Sequence, residues 1–171
     1  MKIYHFNILI FHKYIMPKTY RRRTNNNFSR KNRNRNSDSS SSLSAFQKQI
    51  TIVFLEMLMM VKLFHWKTHS YATHKATDEL YESLNENIDK FIEVLLGKTG
   101  SRIDLMSNRT IKLIDLNSQE QLKSKIMSLK GYLVGLDNNK ALSTMSNSDL
   151  FNIRDEILGN LNKFLYLLTF K

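Results

Sequence analysis

The sequence predicts an all-α protein: a bundle of four helices with a long connection between the second and the third, preceded by a basic arm. Three observations lead there. Among 171 residues proline occurs once and glycine five times, which favours helices interrupted by few turns. Apolar residues recur at spacings of three and four in separate stretches, the period of a helix with one buried face. The charge is unevenly placed: residues 1–42 hold ten Lys/Arg against one Asp, whereas residues 43–171 hold sixteen Lys/Arg against fourteen Asp/Glu. The basic excess therefore belongs to the front. We read 1–42 as an N-terminal extension and 43–171 as the bundle, a length that suits one domain. Cysteine is absent, which excludes disulfides, thiolate catalysis and zinc–thiolate sites.

Residues 1–16 are apolar in patches. Their longest apolar run, Ile8 to Phe11, is too short for a membrane span, and no small-residue cleavage site follows. A weak strand, an amphipathic anchor and an accessory extension all remain open here. Residues 17–42 are polar and of low complexity, and are expected to be disordered in isolation. Arg21, Arg22, Arg23, Arg30, Lys31, Arg33 and Arg35 suit this arm to phosphate contacts of a sequence-independent, salt-sensitive kind. Tyr20 and Phe28 can stack on exposed bases. A solubilising tail that touches no nucleic acid fits the same composition.

The first helix is expected to start at Ser42 or Ser44, whose hydroxyls cap free amides, and to run to Lys67. Phe46, Ile50, Met57, Met60, Val61 and Phe64 form its buried stripe, with methionine filling irregular gaps in the core. A second helix spans Thr73 to Leu96, capped by Ser70 or Thr73 and ended by Gly97, with Leu80, Leu84, Ile88, Phe91 and Leu95 inside. Residues 98–117 are too long for a tight hairpin and include a short helix over Ser101 to Met106. A crossover of that length lets the second and third helices run parallel. The third helix is expected over Ser118 to Ala141, opened by a Ser118–Gln121 capping box, and the fourth over Ser148 to Thr169.

Five residues of metal-ligating type lie on the first two helices: His65, His74, Asp78, Asp89 and Glu93. The last four are separated by steps of four, eleven and four, each of which returns to nearly the same azimuth, with a drift of roughly 20–40°. Asp78 and Asp89 are about 16 Å apart along such a helix. No ion with ligand bonds of about 2.0–2.2 Å touches both. Either the two clusters are unrelated, or two copies pack antiparallel about a two-fold axis. The second arrangement brings the His65/His74/Asp78 end of one copy to the Asp89/Glu93 end of the other. His69 is a spare imidazole whose simplest place is in solvent. Asp155 and Glu156 on the fourth helix lack a histidine at Glu-x-x-His spacing, so a di-iron site of that design is not drawn within one chain.

These residues resemble the Dps proteins (DNA-binding proteins from starved cells), the mini-ferritins of the ferritin-like superfamily. In that family a His-Trp pair ends the first helix and a His-x-x-x-Asp pattern opens the second. An Asp-x-x-x-Glu pair follows eleven residues after the first Asp. The matching residues are His65 with Trp66, His74 with Asp78, and Asp89 with Glu93. The resemblance implies a ferritin-like bundle with ferroxidase ligands shared between subunits. It implies iron as the metal, with manganese and zinc suited to the same nitrogen and oxygen donors. It also implies self-association, as a two-fold dimer or a dodecamer, and nonspecific DNA binding by the basic extension. The interval from His65 to His74 is shorter than in the family, so the turn between the helices differs. The Asn/Lys/Ile-rich chain further resembles uncharacterised ferritin-like proteins of large DNA viruses, which implies a virion component as the alternative to a cytoplasmic storage cage. Beside the ferroxidase reading stands a non-enzymatic one: a structural or nucleic-acid-associated bundle.

Overall fold

Four helices carry the described chain: α1 (Arg33–Lys67), α2 (Tyr71–Thr99), α3 (Gln119–Val134) and α4 (Ser148–Leu167), with 3₁₀ turns at Gly135–Asn138 and Leu142–Thr144. The structure, a computed structural model, describes residues 33–105, 107 and 110–170, with side chains from residue 41. No strand occurs among the described residues. The all-α, four-helix fold is the one the sequence predicts.

Contacts fix the direction of each helix. α1 and α2 are antiparallel: Gln47 Nε2 donates to Thr99 Oγ1 (2.7 Å) and Ser101 Oγ (2.8 Å) at one end. Phe54 and Phe91 meet edge-on at 5.3 Å midway, and His65 stacks on His74 at the other end. α2 and α4 are also antiparallel, as the pairs Glu79–Lys163, Lys90–Glu156 and Lys98–Asp149 show. α3 starts where α2 starts, because Thr73 Oγ1 donates to Gln119 Oε1 (3.4 Å) while Gln119 Nε2 donates to the Leu168 carbonyl (3.0 Å). At the far end of α3, Arg154 of α4 donates to Asp137 and Asp155. Burial works against the Arg154 charge, but the two carboxylates more than offset it and raise its pKa. So α2 and α3 run parallel, and the connection between Thr99 and Gln119 joins opposite ends of the bundle. Lys67 holds the returning end of that crossover through Asp115 (2.7 Å) and Asn117 (2.9 Å).

The core is the union of the four apolar faces. Ile50, Phe54, Val61, Leu84, Phe91, Leu122, Ile126, Leu150, Ile157 and Leu161 are all fully buried. By length and composition alone, Ser41–Lys67 of α1 is apolar enough to cross a membrane. In the bundle its Phe46, Ile50, Phe54, Met57, Val61 and Phe64 line the core instead.

Several element boundaries differ from the sequence expectation. α1 begins at Arg33 rather than at Ser42 or Ser44. Serine and asparagine cost only tenths of a kcal/mol each in a helix (roughly 0.5), and extending a packed helix needs no new nucleus. α2 opens at Tyr71 behind Ser70, whose hydroxyl accepts from Thr73 N, and ends at Thr99, not at Gly97. Gly100 is the stop: its φ of 62° lies in the left-handed region that favours glycine. Ser101 to Leu105 is not helical. α3 ends at Val134 and tightens into the 3₁₀ turn, where Gly135 and the Asn138–Asn139 pair replace good helix formers.

Candidate metal centre at the α1–α2 corner

The last turn of α1 and the first turn of α2 meet through two imidazoles. His65 is 7% exposed, and its ring stacks on that of His74 with centroids 3.9 Å apart and a tilt of 23°. The two rings exchange bonds with each other's backbone. His65 Nδ1 lies 3.1 Å from the His74 carbonyl, and His74 Nδ1 lies 3.1 Å from the His65 carbonyl. A carbonyl only accepts, so in both rings Nδ1 bears the proton and donates it. With Nδ1 engaged in this way, Nε2 is the ring nitrogen left to take a ligand. The helix ends explain why the exchange forms: carbonyls in the last turn of α1 lack intrahelical partners, and His74 satisfies one of them.

Thr77 sits beneath the pair, fully buried. Its hydroxyl donates to the Thr73 and His74 carbonyls (2.8 and 2.9 Å), and its oxygen lies 3.2 Å from His65 Nδ1, on the accepting side. Asp78, one helical turn beyond His74, places Oδ1 3.8 Å from His65 Nε2 and 3.8 Å from Lys62 Nζ. That Nε2–Oδ1 span is too long for a hydrogen bond. It is shorter than two metal–ligand bonds of about 2.0–2.2 Å laid end to end, so these two atoms would be the ones to hold a transition ion bound at this corner. Lys62 Nζ also lies 4.6 Å from the centroid of the Tyr81 ring.

The structure thus brings His65, His74 and Asp78 to one corner. It does not bring Asp89 and Glu93 to them: both are exposed on α2, about three helical turns further along. Among the described residues no group of three or more His, Cys, Asp or Glu is close enough to hold a metal ion. His69 is exposed. Between the two clusters a largely apolar groove follows the α1–α2 seam, lined by Leu58, Met59, Leu63, Trp66 and Tyr81, with Leu113 of the connection and Lys62 at its edge. Its continuation reaches Asp89. Trp66, which lines the groove, is 68% exposed, although it neighbours the most buried histidine among the described residues. Of the arm residues, Arg33 and Arg35 fall within α1, while Arg21, Arg22, Arg23, Arg30 and Lys31 lie outside the described residues.

Lys62, Thr77 and Tyr81 were not singled out by sequence reasoning. The signal was present: Lys62 precedes His65 by three residues and Thr77 follows His74 by three, which places each on the same helix face as its histidine.

Comparison with known proteins places the chain more coarsely than the site does. An "Uncharacterized 14.6 kDa protein in mobD-ri intergenic region" of Enterobacteria phage T4 is 36% identical over 73 residues, covering 36% of this chain. The match spans 57% of the length of that curated relative. No solved structure matches significantly. Neither match names a ferritin or a Dps protein, so that resemblance rests on ligand spacing and topology. The profile described as "Family of unknown function (DUF5856)" matches residues 65–168, from the first histidine of the corner to the end of α4, and the chain belongs to that family.

Proposed function

We propose that two copies of this bundle assemble along the α1–α2 face and bind a divalent transition metal at each corner. His65 and Asp78 of one copy supply one half of the site, with His74 stacked on His65 and holding it in place, and Asp89 and Glu93 of the other complete it. One observation carries the reading: the 3.8 Å gap between His65 Nε2 and Asp78 Oδ1, bounded by imidazoles whose other nitrogens are already committed. Iron is the metal most consistent with the Dps-like spacing, and manganese and zinc suit the same donors. As substrate, two ferrous ions give one electron each to one peroxide, which takes up two protons and leaves as two waters. The protein's part is to hold the donors in place and to set anionic oxygens beside the ferric product.

A second reading is favoured by a specific observation. Among the described residues no buried side-chain nitrogen or oxygen lacks a hydrogen-bond partner, and Lys62 faces Asp78. The fully buried polar atoms of the corner are therefore partnered without metal, as in a non-enzymatic structural bundle. In that reading the arm with Arg21, Arg22, Arg23, Arg30 and Lys31 contacts nucleic-acid phosphates, and the phage relative supports a viral setting.

Cobalt(II) titration, followed by its visible absorption, separates the two. Wild type should bind cobalt, and H74A and D89A should each bind more than tenfold more weakly. Mixing the two variants under conditions of subunit exchange should restore about a quarter of the sites, because half the dimers are mixed and each has one intact corner. Wild-type protein that produces no cobalt spectrum leaves only the structural reading.

A further inference from the structure

We propose that Lys62 is a built-in counter-cation that competes with the metal for Asp78 and holds down the affinity of the corner. The inference rests on the metal-binding reading above and assigns that site its regulator. Three observations point to it. Lys62 stands on α1 one turn before His65, so both side chains leave the same face toward α2. Its Nζ lies 3.8 Å from Asp78 Oδ1, the same oxygen that lies 3.8 Å from His65 Nε2. One carboxylate oxygen thus faces two places for positive charge, and the ammonium stands at one of them. The face of Tyr81, 4.6 Å away, gives the ammonium a second attraction at that position.

An ion seated between Nε2 and Oδ1 lies about 2.1 Å from the oxygen, and therefore no more than about 6 Å from an ammonium that has not moved. Two like charges that close, at a corner holding a buried imidazole, repel strongly, and only one of them keeps the full benefit of Asp78. Lys62 can yield without disturbing the fold, since its side chain is 30% exposed and that of Asp78 is 40% exposed. Metal loading therefore requires the ammonium to turn out toward solvent. The energy of the Lys62–Asp78–Tyr81 contact is subtracted from the affinity. Any carboxylate that gives Lys62 another seat, such as one supplied by a second copy, raises that affinity. Loading and assembly are coupled through this one side chain.

The full chain is tested with cobalt(II) alone, at fixed pH and ionic strength, comparing wild type, K62M, K62R and H65A. K62M should bind cobalt about tenfold more tightly than wild type, K62R should stay near wild type, and H65A should lose the spectrum. In wild type, acylation of Lys62 by an amine-reactive reagent, read by peptide mass, should speed up when cobalt is added. If K62M proves unfolded by circular dichroism, K62Q carries the same expectation. Cobalt binding by wild type with no tightening in a folded K62M or K62Q overturns the proposal and leaves the metal site standing. No cobalt spectrum in either protein removes the metal reading, and this inference with it.

Discussion

Thr77 shows how much of the corner is decided by single atoms. It is fully buried, and its hydroxyl both donates to backbone carbonyls of α2 and faces the Nδ1 of His65. Valine has the same shape without the oxygen. We expect T77V to lower stability by about 1–2 kcal/mol in urea unfolding, because buried hydrogen-bonding groups lose a partner. We also expect cobalt affinity to fall by about tenfold, the effect typical of losing a group that orients a ligand. Equal cobalt affinity in T77V would mean that the two carbonyl bonds alone hold the imidazole. At this scale the sequence was informative about residue types and poor on company. That His65, His74 and Asp78 meet at one corner was legible because their spacing follows two helices joined by a short turn. The places of Thr77 and Lys62 were not, because their roles depend on which side of α1 turns toward α2. That is settled by packing across two helices, not by neighbours in the chain.

Helix ends carry the next lesson, and two glycines make it testable. Gly97 and Gly100 both follow the last apolar residues of α2, and either satisfies the rule that glycine ends a helix. The backbone distinguishes them. Gly100 has a φ of 62° and its N–H returns to the Leu96 carbonyl, while Gly97 lies inside the helix with nothing within 4 Å of an added Cβ. G100A should therefore destabilise by about 1–2 kcal/mol, the cost of a side chain in the left-handed region. G97A should instead stabilise by up to about 1 kcal/mol, since alanine is the better helix former and no clash opposes it. Thermal melts that shift in the same direction for both would contradict the assigned end. The N-terminal ends of α2 and α3 were easier to read, because a cap needs a particular side chain, whereas the start of α1 at Arg33 carries no such mark. Ser70 and Ser118 accept from Thr73 N and Gln121 N, and Gln121 Oε1 accepts from Asn117 N, close to the pattern the sequence suggests. The far end of α3 was not legible: the decline in propensity after Gly131 is gradual, and no single residue marks the stop.

For the whole molecule, topology followed from one long connection, whereas assembly depends on a surface. The crossover between α2 and α3 leaves a groove along the α1–α2 seam, lined by Leu63, Met59 and Trp66 and bordered by Leu113 of the crossover itself. One end of the seam carries Lys62 and two imidazoles, and the other carries Asp89 and Glu93. Two seams laid antiparallel about a two-fold axis set the Lys62 and imidazole end of each copy against the Asp89 and Glu93 end of the other, twice over. Such a face should bury more than about 1,000 Å² in total if the dimer is stable. Leu63 is the residue to test it, because it lines the groove, is only partly buried and has no place in the ligand set. L63E puts a desolvated carboxylate within the assembled face of each copy while leaving the bundle core intact. We expect wild type to sediment as a dimer of the 20.2 kDa chain at micromolar concentration, and L63E as a monomer with unchanged helical circular dichroism. Cobalt affinity in L63E should then fall to that of D89A, since the same carboxylates are lost by a different route. An L63E dimer of wild-type strength would show that the groove is not the interface, and a monomer that still binds cobalt as wild type would show that one chain suffices for the site.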